Sequence, residues 1–240
     1  MTLRVLYLFF WYKYSNLFKL FLNNPTEPLN FAPQNDNIGM AEHIYPIFDQ
    51  TLTRQDKETL LKQRAVVVWM AGLSGSGKST LAKGLERELH NQGHLTQLLD
   101  GDNLRSGINN NLGFSEADRL ENIRRSAETA KLFLNAGLVT ICSFISPTEE
   151  IRNLARNIIG AADFCEVYVN APFEVCADRD VKGLYKKALN GEIKNFTGLD
   201  APFEAPSQPA LEIRTDLEDY SASLQKLLDM LLPRIKPHCC

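Results

Sequence analysis

Ala65-Val66-Val67-Val68-Trp69-Met70-Ala71-Gly72-Leu73-Ser74-Gly75-Ser76-Gly77-Lys78-Ser79-Thr80 decides how this chain folds. Residues 65–70 form an unbroken apolar, β-branched run, the pattern of a strand covered on both faces. A glycine-rich turn follows at once and opens a helix at Lys78, so the stretch fits G-x-x-x-x-G-K-[ST] in its proper strand-to-helix setting. Glycines let main-chain N–H groups close around phosphate, and the helix N-terminus adds roughly half a positive charge. Gly72, Leu73, Ser74, Gly75, Ser76, Gly77, Lys78, Ser79 and Thr80 are therefore the expected cradle for a nucleoside triphosphate. Lys78 would reach the β- and γ-phosphates, and the Ser79 hydroxyl would ligate Mg²⁺.

Outward from the cradle, apolar runs alternate with amphipathic segments. Thr53 and Asp56 predict a capped, charged helix ending near Arg64. Strands are expected at 65–70, 95–99, 138–144, 165–169 and 211–214. Helices are expected at 78–92, at 116–136 (stopped by Gly137), from Thr148, and at 219–232, with a charged stretch over 178–194. Strands separated by helices read as right-handed βαβ units: an α/β fold of three layers, a parallel sheet with helices on both faces. With the cradle, this is the P-loop NTPase fold.

The 240 residues are 44% hydrophobic and 23% charged, which excludes a disordered chain, a collagen and a coiled coil. A net charge of −3 provides no broad basic field for nucleic acid, so any anion must be caught by a local site. The five cysteines include no CxxC and no metal-ligand spacing, which favours a reduced, cytoplasmic protein. Residues 1–39 stand apart as a leader and polar linker. Its segment 1–22 is aromatic and apolar, yet its longest uncharged run, Val5–Tyr12, is too short to cross a bilayer. Either it lies on a membrane surface or Met40 is the true start, the second being favoured. Residues 40–236 form the predicted domain, and 237–240 a tail carrying Cys239 and Cys240.

The second strand runs into Asp100-Gly101-Asp102-Asn103-Leu104-Arg105. Strand C-termini in such sheets face the ligand crevice, so two carboxylates would stand beside the γ-phosphate. One can serve Mg²⁺ and the other can take the proton of an attacking hydroxyl. Asp100 is assigned to the metal and Asp102 to the base, although the spacing alone allows the reverse. Arg105, Arg119, Arg124 and Arg125 then suggest a polyanionic acceptor, or else an exposed helical face paired with Glu116, Asp118 and Glu121. Arg119 and Asn122, three apart, share one side of their helix, and Phe114 suits a stacking platform.

GLSGSGKST (72–80), LDGDNLR (99–105), NLGFSEADRLENIRR (111–125), SFISP (143–147), RDVKGLYKKA (179–188) and NFTGLDAPFEAP (195–206) together resemble the adenylylsulfate kinase family. The resemblance implies transfer of the γ-phosphate of ATP to the 3′-hydroxyl of adenosine 5′-phosphosulfate, giving 3′-phosphoadenylyl sulfate and ADP in sulfate assimilation. It carries substrate contacts onto Arg105, Phe114, Arg119, Asn122 and Lys182, with main-chain help around Ile145 and Ser146, and has Phe114 and Phe196 sandwiching the adenine. Ser146 matches a serine described as a phosphoserine intermediate; a direct transfer needs none, so Ser146 is read as a substrate contact open to phosphorylation. Residues 178–200 match a lid, with Arg179 on ATP. The resemblance also implies a homodimer and a functional association with ATP sulfurylase. Two rival readings are another P-loop small-molecule kinase and a catalytically silent nucleotide-binding partner of a sulfurylase.

Overall fold

In the computed structural model, residues 44–237 are described. The leader 1–39, its segment 1–22, Met40 and the Cys239–Cys240 pair lie outside them. The chain divides into two units, Met1–Phe48 and Asp49–Cys240, and every element named below belongs to the second.

The apolar run becomes β1 (Val67–Ala71), buried along its whole length at the centre of a five-stranded parallel sheet. Its neighbours are β2 (Thr96–Asp100), β3 (Val139–Ser143), β4 (Phe164–Asn170) and β5 (Leu211–Arg214), in the order β2-β3-β1-β4-β5. Because side chains alternate across a strand, β1 supplies both cores. Val66, Val68 and Met70 pack with Leu81, Leu85 and Leu89 of α2 (Lys78–Asn91) and with Leu227, Leu231 and Ile235 of α8 (Tyr220–Ile235). Val67 and Trp69 meet Ile123, Ala127 and Leu134 of α4 (Glu116–Asn135) and Ile151, Ala155 and Ile159 of α5 (Glu149–Ile159). The expected three layers are present.

The helix starts follow from their caps. Thr53 and Asp56 form the reciprocal capping box of α1 (Arg54–Leu61), which ends three residues earlier than expected because Lys62 turns left-handed. Ser115, Thr148 and Asp219 cap α4, α5 and α8 through side-chain oxygens. Three short helices were not expected: α3 (Gly101–Arg105), α6 (Phe173–Arg179) and α7 (Leu184–Leu189). The stretch read as a charged run over 178–194 is thus partly helical, and its α7 buries Tyr185 and Ala188.

Candidate active site

Register brings the C-terminal ends of the strands together: Asp100 lies opposite Ser143, and Ala71 opposite Tyr168. Beyond Ala71 the cradle can be built only from glycine at two points. A Cβ on Gly72 would sit 2.3 Å from the Val169 carbonyl oxygen, and one on Gly75 (φ 76°) 2.9 Å from that of Cys176. Gly77 caps α2 without a side chain, leaving the first-turn N–H groups, those of Ser79 and Thr80 among them, to an anion.

Three side chains brace the loop from outside. Tyr185 Oη donates to the Ser74 carbonyl at 2.7 Å, Thr215 Oγ1 to that of Ser76 at 2.7 Å, and Arg179 Nη1 to that of Gly75 at 3.3 Å. Arg179 is itself fixed on Thr215, through the carbonyl at 2.7 Å and Oγ1 at 3.0 Å. Lys78 Nζ lies beneath the loop, donating to the carbonyls of Gly72 at 2.9 Å and Leu73 at 2.7 Å. Burial pushes its ammonium down from 10.5 to about 8.

Ser79 Oγ donates to Asp100 Oδ2 at 2.7 Å and lies 3.3 Å from Ser143 Oγ. This all-oxygen group of one carboxylate and two hydroxyls fits Mg²⁺, a hard cation that takes few protein ligands and completes its shell with water and phosphate. Asp102 stands two residues on, exposed, its carboxylate ion-paired with Lys182 Nζ. Two residues assigned separate tasks are therefore bound to each other.

Among the residues expected to meet the acceptor, Phe114 is 65% exposed and carries the Arg105 guanidinium 4.5 Å from its ring centroid. Arg105 also donates to the Gly113 carbonyl at 2.7 Å. Arg119 Nε donates to the Phe114 carbonyl at 3.0 Å and its Nη1 to Thr197 Oγ1 at 2.6 Å, while Nη2 donates to the Asn195 carbonyl. It thereby ties the Phe114 segment to the loop bearing Phe196. Phe196 is buried, edge-on to Tyr185 at 4.9 Å. Asn122 is buried and accepts from Asn109 Nδ2 at 3.0 Å.

Arg124, Arg125 and Ser146 have partners of their own. Arg124 and Arg125 do not join Arg105 and Arg119. Each pairs with Glu121 at 2.7 Å and together they hold that carboxyl at about 2, so for these two the exposed-face alternative is the one realised. The Ser146 side chain is buried: the residue is 2% exposed, and Oγ accepts from Trp69 Nε1 at 3.0 Å. Ile145 lies beside the cradle, its carbonyl accepting the Gly72 N–H at 3.3 Å.

Ser143, Trp69, Arg152, Tyr185 and Thr215 were assigned no role from sequence. For Ser143 and Thr215 a signal existed, since both sit at strand C-termini facing the crevice. Trp69 and Tyr185 read as ordinary apolar positions, and nothing local marks Arg152.

A family model described as adenylylsulphate kinase matches residues 64–214. The adenylyl-sulfate kinase of Bacteroides fragilis is 60% identical over 82% of this chain and 97% of its own length. That of Clostridium acetobutylicum is 54% identical over 78% and 91%. A solved structure, the Mycobacterium tuberculosis APS kinase CysC in complex with AMPPNP and APS, aligns with a TM-score of 0.68 at 45% identity. The alignment covers 70% of this chain and 98% of that one.

Proposed function

The chain belongs to the adenylylsulfate kinase family, and on that premise we propose how its residues divide the phosphoryl transfer from ATP to the 3′-hydroxyl of adenosine 5′-phosphosulfate. The observation that carries this division is the hydrogen bond from Ser79 to Asp100 at the foot of the cradle, with Asp102 free of that contact two residues later. Ser79 and Asp100 would hold Mg²⁺, which when bound neutralises charge on the triphosphate oxygens. Lys78 and the first-turn N–H groups of α2 orient the β- and γ-phosphates, and Arg179 stands at the rim of the loop.

Asp102 is the general base. It exchanges Lys182 for the acceptor hydroxyl and takes its proton as the O3′–Pγ bond forms and the bond from Pγ to the ADP oxygen breaks. Lys182, released from Asp102, is free to meet the acceptor anion as the lid (about 178–200, within a kinase domain of 40–236) closes. Arg105 and Arg119 frame the acceptor, with Phe114 and Phe196 on its adenine. The main chain of Ile145 and Ser146 completes that side, and the buried Ser146 hydroxyl takes no part in a direct transfer.

A cytoplasmic, homodimeric enzyme belongs to the same reading. Cys142, Cys165 and Cys176 are free and buried, which suits a reducing compartment. Among the described residues no helix is long and apolar enough to cross a membrane. The test is a pair of variants. Asp102→Asn should lower kcat by about 10²- to 10⁴-fold, the usual range for a lost general base, with ATP affinity kept. Asp100→Asn should instead raise the Mg²⁺ concentration needed for half-maximal rate; the reverse pattern would exchange the two roles.

A further inference from the structure

Ser146 has a left-handed main chain, with φ 45°, although it carries a side chain. Residues other than glycine keep such a conformation only when their surroundings over-determine it. Two buried donors hold this one. Trp69 Nε1 donates to Ser146 Oγ at 3.0 Å, and Arg152 Nη1 to the Ser146 carbonyl at 2.9 Å.

Neither donor is loose. Trp69 is fully buried in the central strand, its ring 4.9 Å from that of Phe144 and 5.7 Å from that of Phe164. Arg152 is buried in turn, its Nε 3.1 Å from Glu166 Oε1, while Arg156 takes the other Glu166 oxygen at 2.8 Å. One residue before Ser146, the Ile145 carbonyl accepts the Gly72 N–H, so the same turn touches the first glycine of the cradle. The N–H groups of Ile145 and Ser146 meet no acceptor among the described residues, which leaves the turn two main-chain donors.

We propose that Trp69 and Arg152 are positioning residues for the acceptor: from inside the molecule they fix the left-handed turn at Ser146 and thereby aim the main chain of residues 145–146 at the substrate anion. The inference rests on the acceptor side as read above. The nucleotide side has its own braces in Tyr185, Thr215 and Arg179. Loss of the turn therefore acts on one substrate more than the other.

Trp69→Phe keeps the ring and deletes the donor. Its KM for adenosine 5′-phosphosulfate should rise about tenfold, the scale of one lost buried hydrogen bond, while KM for ATP changes less than twofold. Glycine adopts the left-handed region unaided, so adding Ser146→Gly to Trp69→Phe should bring the acceptor KM back to within about threefold of wild type. Arg152→Lys keeps a charge facing Glu166 but withdraws Nη1, and should show the same split if Trp69→Phe fails to fold. Equal losses for both substrates, no loss for either, or no recovery with glycine would overturn the proposal while wild type turns over. A wild-type protein without turnover on this acceptor would overturn the reading beneath it as well.

Discussion

Lys78 is held in readiness at an energetic penalty that can be measured. Its ammonium lies under the cradle against the neutral carbonyls of Gly72 and Leu73, and burial brings its pKa from 10.5 to about 8. At about 1.36 kcal/mol per pKa unit, that drop corresponds to roughly 3 kcal/mol of lost preference for the charged form. The unfolded chain binds more protons across this window, so the penalty on stability is full below pH 8 and fades as pH rises toward 10.5. A triphosphate beside Nζ favours the charged form and returns the pKa upward. Binding of MgATP near pH 8 must therefore take up protons, and ATP affinity must fall as pH rises through 8. Calorimetry in buffers of different ionisation enthalpy should read about half a proton taken up at pH 8 and close to none at pH 6.5. Lys78→Arg, whose guanidinium stays protonated, should abolish the uptake. No uptake in wild type at pH 8, or an equal uptake in Lys78→Arg, would refute the reasoning.

Arg119→Ala should raise KM for the acceptor at least tenfold, because it removes the hydrogen bonds tying Phe114 to residues 195 and 197. KM for ATP should move little, and steady-state kinetics with each substrate varied in turn checks the split. Glu166→Gln leaves Arg152 and Arg156 facing one another without the buried carboxylate between them. Urea unfolding should show a loss of about 3 kcal/mol, the scale for breaking a buried ion pair.

The strand, turn and helix around Gly72–Ser79 were legible in the sequence because each is governed locally, by an apolar run, by glycine and by the amphipathic segment that follows. The order of the strands followed no further than a parallel sheet, since order depends on pairing between distant segments. The paired carboxylates were legible from their place at a strand end, but their pairing with Ser79 and Lys182 was not. Spacing left Arg124 and Arg125 undecided, because Glu121 lies within helical reach of both. Ser146 was legible only as part of its segment. Its motif marks the segment, whereas its side-chain direction depends on Trp69, 77 positions away in sequence. The short helix α7 escaped notice because charge dominates residues 178–194 while burial falls on a few positions such as Tyr185.

The acceptor separates an adenylylsulfate kinase from any other P-loop small-molecule kinase. Release of ADP from MgATP should depend on added adenosine 5′-phosphosulfate, yield 3′-phosphoadenylyl sulfate, and be absent with shikimate or gluconate in its place. Turnover that ignores adenosine 5′-phosphosulfate, or equals it with either of the other acceptors, would contradict the account.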